Sequence, residues 1–291
     1  MSASTKAFNL VNGEWTTSEN YIDLPDPLNG NTMIKVPDTT MEEIGPFVET
    51  LKDAPKTGLH NPFKNKERYL LYGEVCKNVV TTMEDKDVFN FFVRCIQRCA
   101  PKSTLQAAAE LQVTLNFFKN FCGDRVRFLA HSFRYPGDHE GSFTTAYRWP
   151  YGGVGVIAPF NFPIEIPVLQ MMGALFMGNK VVIKPDQRTS FPLEQWVRML
   201  HYCGMPKEDL SLIHCDGPVM EKILVRGNAQ TTQFTGSSGV AERLVRTLKG
   251  KVRIEDAGFD WKVLGPDVPR YEDYVDYVAW CCDHDAYAFG G

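Results

Sequence analysis

The stretch "VGVIAPFNFPIEIPVLQMMGALFMGNKVVIKP", residues 154–185, decides the architecture. It opens on a short apolar run (154–158) that fits a buried strand, passes through a helical segment from Pro163 to Met177, and closes on a second strand-like run at 180–185. Downstream the alternation repeats. A helical segment from Phe191 to Tyr202 leads to "SLIHC" (211–215), then a helix from Pro218 to Val225 and "QTTQF" (230–234). A helix from Val240 to Leu248 and the run "KVRIE" (251–255) complete the series. Strands alternating with helices at this spacing predict βαβ units in an α/β fold with a parallel sheet. Functional groups of such a sheet gather at the carboxyl ends of its strands. Here those positions carry Asn161, Lys184, Thr235 to Ser238, and Glu255.

Upstream, the chain to about Lys64 is rich in Pro, Asn, Gly and Asp and reads as short strands and turns at the edge of the fold. From Lys66 to Cys122 the pattern turns helical. Ser103 to Gln106 matches a capping box, followed by a stripe of Leu105, Ala108, Leu111, Leu115, Phe118 and Cys122 that fits a core-facing side. Between Arg127 and Trp149, alternating residues flank a Pro-Gly-Asp turn and predict a long hairpin, either an edge ribbon or an arm toward a partner subunit. After Glu255 comes a turn-rich connection. A helix from Tyr271 to Cys282 follows, with Tyr274, Val275, Val278 and Cys282 expected to face inward, as the opening of a second domain. The divisions expected are residues 1–126, 127–151, 152–256 and 257–291.

The chain has 291 residues, 44% of them hydrophobic, enough for a sizeable core. With 31 Lys and Arg against 35 Asp and Glu, the net charge of -4 argues against nucleic-acid binding. No apolar run approaches the roughly 18 residues of a membrane span. Residues Met1 to Phe8 carry neither a secretory apolar region nor an Arg-rich presequence. Eight irregularly spaced cysteines fit reduced thiols. Neither Cys95 with Cys99 nor Asp283-His284-Asp285 has the pattern of a metal site; a packed pair and a polar helix end are the plainer readings.

At the strand ends each residue has two readings. The Asn161 amide, between Phe160 and Phe162 and flanked by prolines, is a donor suited to a developing oxyanion in a dry setting, or a loop cap. In "FTGSSG", Gly236 permits close approach of a ligand, and Ser237 either helps hold a phosphate or caps a helix. Neither this run nor "YGGVG" (151–155) matches the dinucleotide fingerprint. Lys184 would reach ribose or phosphate oxygens, or simply lie exposed. Glu255 fits a base, and equally a structural salt bridge.

Taken together and in order, "PFNFP", "VVIKP", "FTGSSG" and a strand-ending Glu255 after "RWPYGGVGVIAPF" resemble the aldehyde dehydrogenase superfamily. Glu255-Asp256-Ala257-Gly258 followed by Phe259-Asp260-Trp261, where most members carry Glu-Leu-Gly-Gly, resembles its plant-type Δ1-pyrroline-5-carboxylate dehydrogenase branch. The resemblance runs from about Phe8 to Gly291 and covers the first half or so of a member. It implies a Rossmann-like, doubly wound parallel sheet with a protruding hairpin and an incomplete second domain. It further implies NAD-dependent oxidation of L-glutamate γ-semialdehyde to L-glutamate in proline breakdown, through a cysteine thioester.

By that resemblance Asn161 holds the oxyanion, and Glu255 activates the thiol or the deacylating water. Lys184 binds the adenosine ribose, Thr235, Gly236 and Ser237 line the nicotinamide and pyrophosphate, and Phe160 forms an apolar wall where many members have Trp. Gln187, three residues after Lys184, stands where NAD-preferring members carry Glu, which leaves NADP open. Gln170 stands where many carry Lys. The closing "FGG" resembles the entry to a Gly-Gln-x-Cys turn bearing the nucleophile, which is expected just beyond Gly291. The chain as given is therefore expected to be inactive; a shortened nucleotide-binding or regulatory product is the alternative. The resemblance also implies a mitochondrial matrix location, with cytoplasm as the alternative, and homo-oligomers for full-length members.

Overall fold

The computed structural model describes residues 2–59, 67–258, 261–267, 269 and 271–287. Phe259 and Asp260 of the branch signature, the boundary near Lys64 and the closing "FGG" lie outside them.

The chain enters through β1 (Asn9–Val11) and β2 (Glu14–Thr16). Asn12 (φ 51°) and Gly13 (φ 82°) both take the left-handed conformation that a two-residue hairpin demands. A second ribbon, β3 (Tyr21–Pro25) and β4 (Thr32–Pro37), buries Leu24, Ile34 and Val36 in a small cluster of its own. Helix α1 (Gly45–Lys52) follows, in a region expected to hold only strands and turns. Its signal was present: Ile44, Phe47, Val48 and Leu51 recur at helical spacing, and all are buried.

Three helices come next: α2 (Glu67–Thr82), α3 (Lys86–Cys99) and α4 (Thr104–Lys119). The capping box of α4 forms as expected, with the Gln106 N–H donating to Ser103 Oγ and the Ser103 N–H to Gln106 Oε1. The expected stripe is out of phase at its start. Leu105 is 80% exposed, and the buried face instead contains Ala107, Glu110, Leu111, Thr114, Leu115 and Phe118. Two polar residues on that face displaced the apolar reading. A 3-10 segment (Gly123–Ala130) leads into the hairpin, β5 (Phe133–Pro136) and β6 (Phe143–Ala146). The ribbon is thus shorter than its alternation suggests, because residues 127–130 are helical.

The rest is the expected alternation: β7 (Gly153–Ile157), α5 (Glu165–Phe176), β8 (Lys180–Lys184), α6 (Ser190–Tyr202), β9 (Leu210–Leu212), α7 (Gly217–Arg226), β10 (Thr231–Gly236), α8 (Ser238–Thr247) and β11 (Val252–Asp256). The sheet order is β11-β10-β7-β8-β9-β1-β2, parallel from β11 to β9, with β1 and β2 added antiparallel at the edge. One face packs α5 and α6 beneath α2, α3 and α4 around Trp196, Phe118 and Phe176. The other packs α1, α7 and α8 around Phe47, Ile223 and Leu244. This is a doubly wound α/β sheet.

Helix α9 (Glu272–Tyr287) closes the described chain. The inward face expected of it is not buried: Tyr274 is 41% and Val275 53% exposed, while Val278 and Cys282 are half-covered. Lys262 ties it back, donating to the Cys281 carbonyl oxygen and pairing with Asp285. No helix among the described residues is long and apolar enough to cross a membrane.

Candidate active site

Strand order fixes where a ligand can sit. From β7 the chain winds outward through β8 to β9, then returns to lay β10 on the opposite side of β7. Connections leave these neighbours toward opposite faces, so a crevice opens beyond their carboxyl ends. A cleft of roughly 700 Å3 occupies that position. Phe160, Asn161, Lys184, Thr235, Gly236, Ser237 and Glu255 all line it. Gln187 does not; its amide turns away and donates to the Pro37 carbonyl at 3.4 Å.

Asn161 stands on a loop between β7 and α5, and the loop is held from below. No side chain of its own segment caps α5. The Glu110 carboxylate, buried on α4, takes that role: Oε1 accepts from the N–H groups of Ile164 (2.8 Å) and Glu165 (3.1 Å). Its other oxygen accepts from Lys102 Nζ at 2.8 Å. Lys102 lies 3.8 Å from the centre of the Phe162 ring, so a buried acid, a buried base and an aromatic ring together brace the residues beside Asn161. Neither Lys102 nor Glu110 was singled out in the sequence. The available signal was a glutamate within the buried phase of an amphipathic helix, eight residues after a lysine. The setting of Asn161 is half-buried rather than dry, since Phe160 beside it is 44% exposed.

Across the cleft, the Thr235 hydroxyl joins two side chains. Gln170 Nε2, on α5, donates to Thr235 Oγ1 (2.8 Å), and Thr235 Oγ1 donates to Glu255 Oε2 (3.0 Å). Glu255 is exposed because β11 is the outer strand of the sheet. Its expected alternative partner was a cation, but its hydrogen bond comes from a hydroxyl. Nearby, burial and then the Glu110 carboxylate push Glu165 above the usual carboxylate range.

At the start of α8, Ser237 occupies the N-cap position but makes no capping hydrogen bond. The first N–H groups of that helix are left for a ligand or water. Gly236 has a packing reason as well: a Cβ there would lie 2.8 Å from the end of the Phe234 ring.

The far end of the cleft carries charge. Lys184 Nζ donates to the Pro185 carbonyl at 3.3 Å. Asp186 and Arg188 form a two-point ion pair (Nε to Oδ1 2.9 Å, Nη2 to Oδ2 2.8 Å), and the guanidinium lies 4.9 Å from the Phe160 ring centre. Burial acts to raise the Asp186 pKa, but the hydrogen bonds from Arg188 outweigh it and hold the carboxyl below its ordinary value.

Among the described residues no cysteine lines the cleft, and no group of three or more His, Cys, Asp or Glu side chains is arranged to hold a metal. All eight thiols are free. Burial pushes Cys95 and Cys99 up to about 12, which makes them poor nucleophiles.

A donor loop, a hydroxyl–carboxylate pair, an uncapped helix start and a cationic corner thus surround one crevice. The model of the aldehyde dehydrogenase family matches residues 15–259. The chain is 55% identical over 282 residues to "Delta-1-pyrroline-5-carboxylate dehydrogenase 12A1, mitochondrial" of Arabidopsis thaliana, covering 97% of this chain and 50% of that protein. It is 54% identical over 286 residues to a probable aldehyde dehydrogenase of Linum usitatissimum, covering 98% and 51%. The chain therefore spans about half the length of the curated relatives it matches. Among solved structures, aldehyde dehydrogenase 21 of Physcomitrella patens, in complex with the reaction product succinate, superposes with a TM-score of 0.75 at 18% identity over 87% of this chain and 52% of that one. This residue-level match over most of the sequence, with the fold to go with it, is decisive: the chain belongs to the aldehyde dehydrogenase family.

Proposed function

We propose that this chain forms the cofactor-binding half of an enzyme that oxidises L-glutamate γ-semialdehyde to L-glutamate, with NAD as the preferred cofactor. The observation that carries the reading is the convergence of Asn161, Lys184, Thr235 and Glu255 on a single cleft at the reversal of strand order. The substrate assignment rests on the 55% identity to the Arabidopsis protein, whose name gives the reaction. A mitochondrial location rests on the same name.

The residues present fit a dinucleotide. The helix start at Ser237 lacks its own cap, and the cleft has ample volume beside Lys184. When bound, nicotinamide supplies the hydride acceptor. The chain's own groups do the rest. The Asn161 amide donates a hydrogen bond to the oxygen of the aldehyde as negative charge develops there, stabilisation of the kind worth about 3–4 kcal/mol. Glu255 accepts a proton, from the attacking thiol or from the water that releases the acyl group. Thr235, held by Gln170, orients the carboxylate through Oε2. The attacking thiol is placed, by the family resemblance, in the half of the relatives' length that this chain does not span.

Calorimetric titration of NAD into the purified 291-residue chain tests the cofactor assignment. One site is expected, weakened about tenfold or more in Lys184→Ala. Unchanged affinity in that variant removes Lys184. Steady NADH production from L-glutamate γ-semialdehyde by this chain alone contradicts the assignment of the thiol.

A further inference from the structure

The resemblance directs attention to residue 187 as the group facing the adenosine ribose. The geometry redirects it. Gln187 is engaged with the Pro37 carbonyl and lies off the cleft, whereas its neighbours on either side, Asp186 and Arg188, both line it. Asp186 is also the cap of the short 3-10 turn Gln187–Thr189. Its Oδ1 accepts from the Arg188 N–H (3.0 Å) and Nε (2.9 Å), and its Oδ2 from Nη2 (2.8 Å). The guanidinium rests on Phe160, so the pair is fixed by a ring on one side and a turn on the other.

We propose that the Asp186–Arg188 ion pair, and not Gln187, decides whether this cleft accepts a phosphate on the adenosine ribose; the proposal rests on the nucleotide reading given above. A free guanidinium edge is a strong two-point ligand for phosphate. Here the Nε–Nη2 edge is already held by a carboxylate of the same turn. A ribose phosphate arriving at this corner must either displace Asp186 or take the remaining Nη1 side of the 67% exposed guanidinium, and in both cases it sits beside the Asp186 negative charge. The Asp186 side chain is only 24% exposed, so water screens that repulsion incompletely. A ribose hydroxyl meets no such obstacle, because a carboxylate has acceptor capacity left for it. Asp186 thus acts as a built-in anion that keeps Arg188 from reading a phosphate.

The test uses the 291-residue chain with two probes, adenosine 5′-monophosphate and adenosine 2′,5′-bisphosphate, by calorimetry. The wild type is expected to bind the bisphosphate no more tightly than the monophosphate. Asp186→Asn keeps a side-chain oxygen for the turn but removes the charge. It is expected to shift the ratio about tenfold or more toward the bisphosphate. Adding Arg188→Ala should abolish that gain, while circular dichroism confirms that each variant is folded. A wild type that already prefers the bisphosphate by tenfold, or a ratio unchanged in Asp186→Asn, overturns the proposal and leaves the nucleotide site standing. If the folded wild type binds neither probe, the nucleotide reading itself fails, and this proposal with it.

Discussion

Glu110 shows how much a single buried side chain can organise. It is 2% exposed, yet it pairs with Lys102 and accepts from two backbone N–H groups of a second segment. Truncating it leaves Lys102 as an uncompensated buried cation and strips α5 of its cap. Glu110→Ala is therefore expected to lose about 3–5 kcal/mol in urea unfolding. A Lys102→Met, Glu110→Gln double variant should lose less than the sum of the two single variants, because the charges leave together. Thr235 and Glu255 invite the opposite comparison. Thr235→Val strands the Gln170 Nε2 group, on a side chain whose Oε1 already lacks a partner, and is expected to cost about 1–3 kcal/mol. Glu255→Gln, at an exposed position, should be nearly neutral in the same urea unfolding assay. The strand-end residues were legible in the sequence because a βαβ pattern fixes where strands stop. Glu110 was not, since its place in the buried phase of α4 does not reveal which distant N–H groups it caps.

Between elements, two contacts are tight enough to test. Gly73 of α2 meets the 3-10 segment that leads to the hairpin, where a Cβ would fall 2.1 Å from the Gly123 carbonyl oxygen. Backbone cannot yield as a side-chain tip can, so Gly73→Ala is expected to cost about 1–3 kcal/mol and to raise amide exchange across 123–130. The second contact joins the segment after β9 to β1. His214 Nδ1 donates to Asn9 Oδ1 at 3.1 Å, and Asn9 Nδ2 donates to Thr39. Burial, with a smaller push from Lys184, lowers the His214 pKa to about 3. Burial, helped by Lys207 and Arg198, lowers His201 to about 4. Both rings are neutral in the fold and take up protons on unfolding. Their stabilising contribution is complete above the unfolded value of about 6.5 and is lost as pH falls toward 3–4. The melting temperature should fall over that window, and less steeply in His214→Gln; parallel curves would clear His214. At this scale β7 to β11 and α5 to α8 were readable from periodicity alone. The position of α1 was obscured by surrounding turn residues, and the inward face of α9 was inferred without anything for it to face.

Over the whole molecule, the order of strands does what no local pattern announces: it brings β7 beside β10 and gathers residues 157–162, 234–237 and 255–258 around one crevice. The βαβ pattern placed these residues at the carboxyl ends of one sheet, but not which strands are neighbours, because strand order depends on pairing between distant segments. The same view explains an exposed apolar tract. Trp261 (84% exposed), Val263 (90%), Tyr271 (76%) and Trp280 (60%) follow the last strand of the sheet. Surface of this kind promotes association, so the 291-residue chain is expected to self-associate at micromolar concentration in sedimentation velocity, and Trp261→Ser with Trp280→Ser to reduce it. The central claim, a single cleft shared by cofactor and chemistry, is met most directly by hydrogen exchange of the chain with and without NAD. Protection should appear together at the Asn161 loop, residues 235–240 and residues 255–258, and be absent at the hairpin. Protection confined to another region, or none at saturating NAD, would contradict the account.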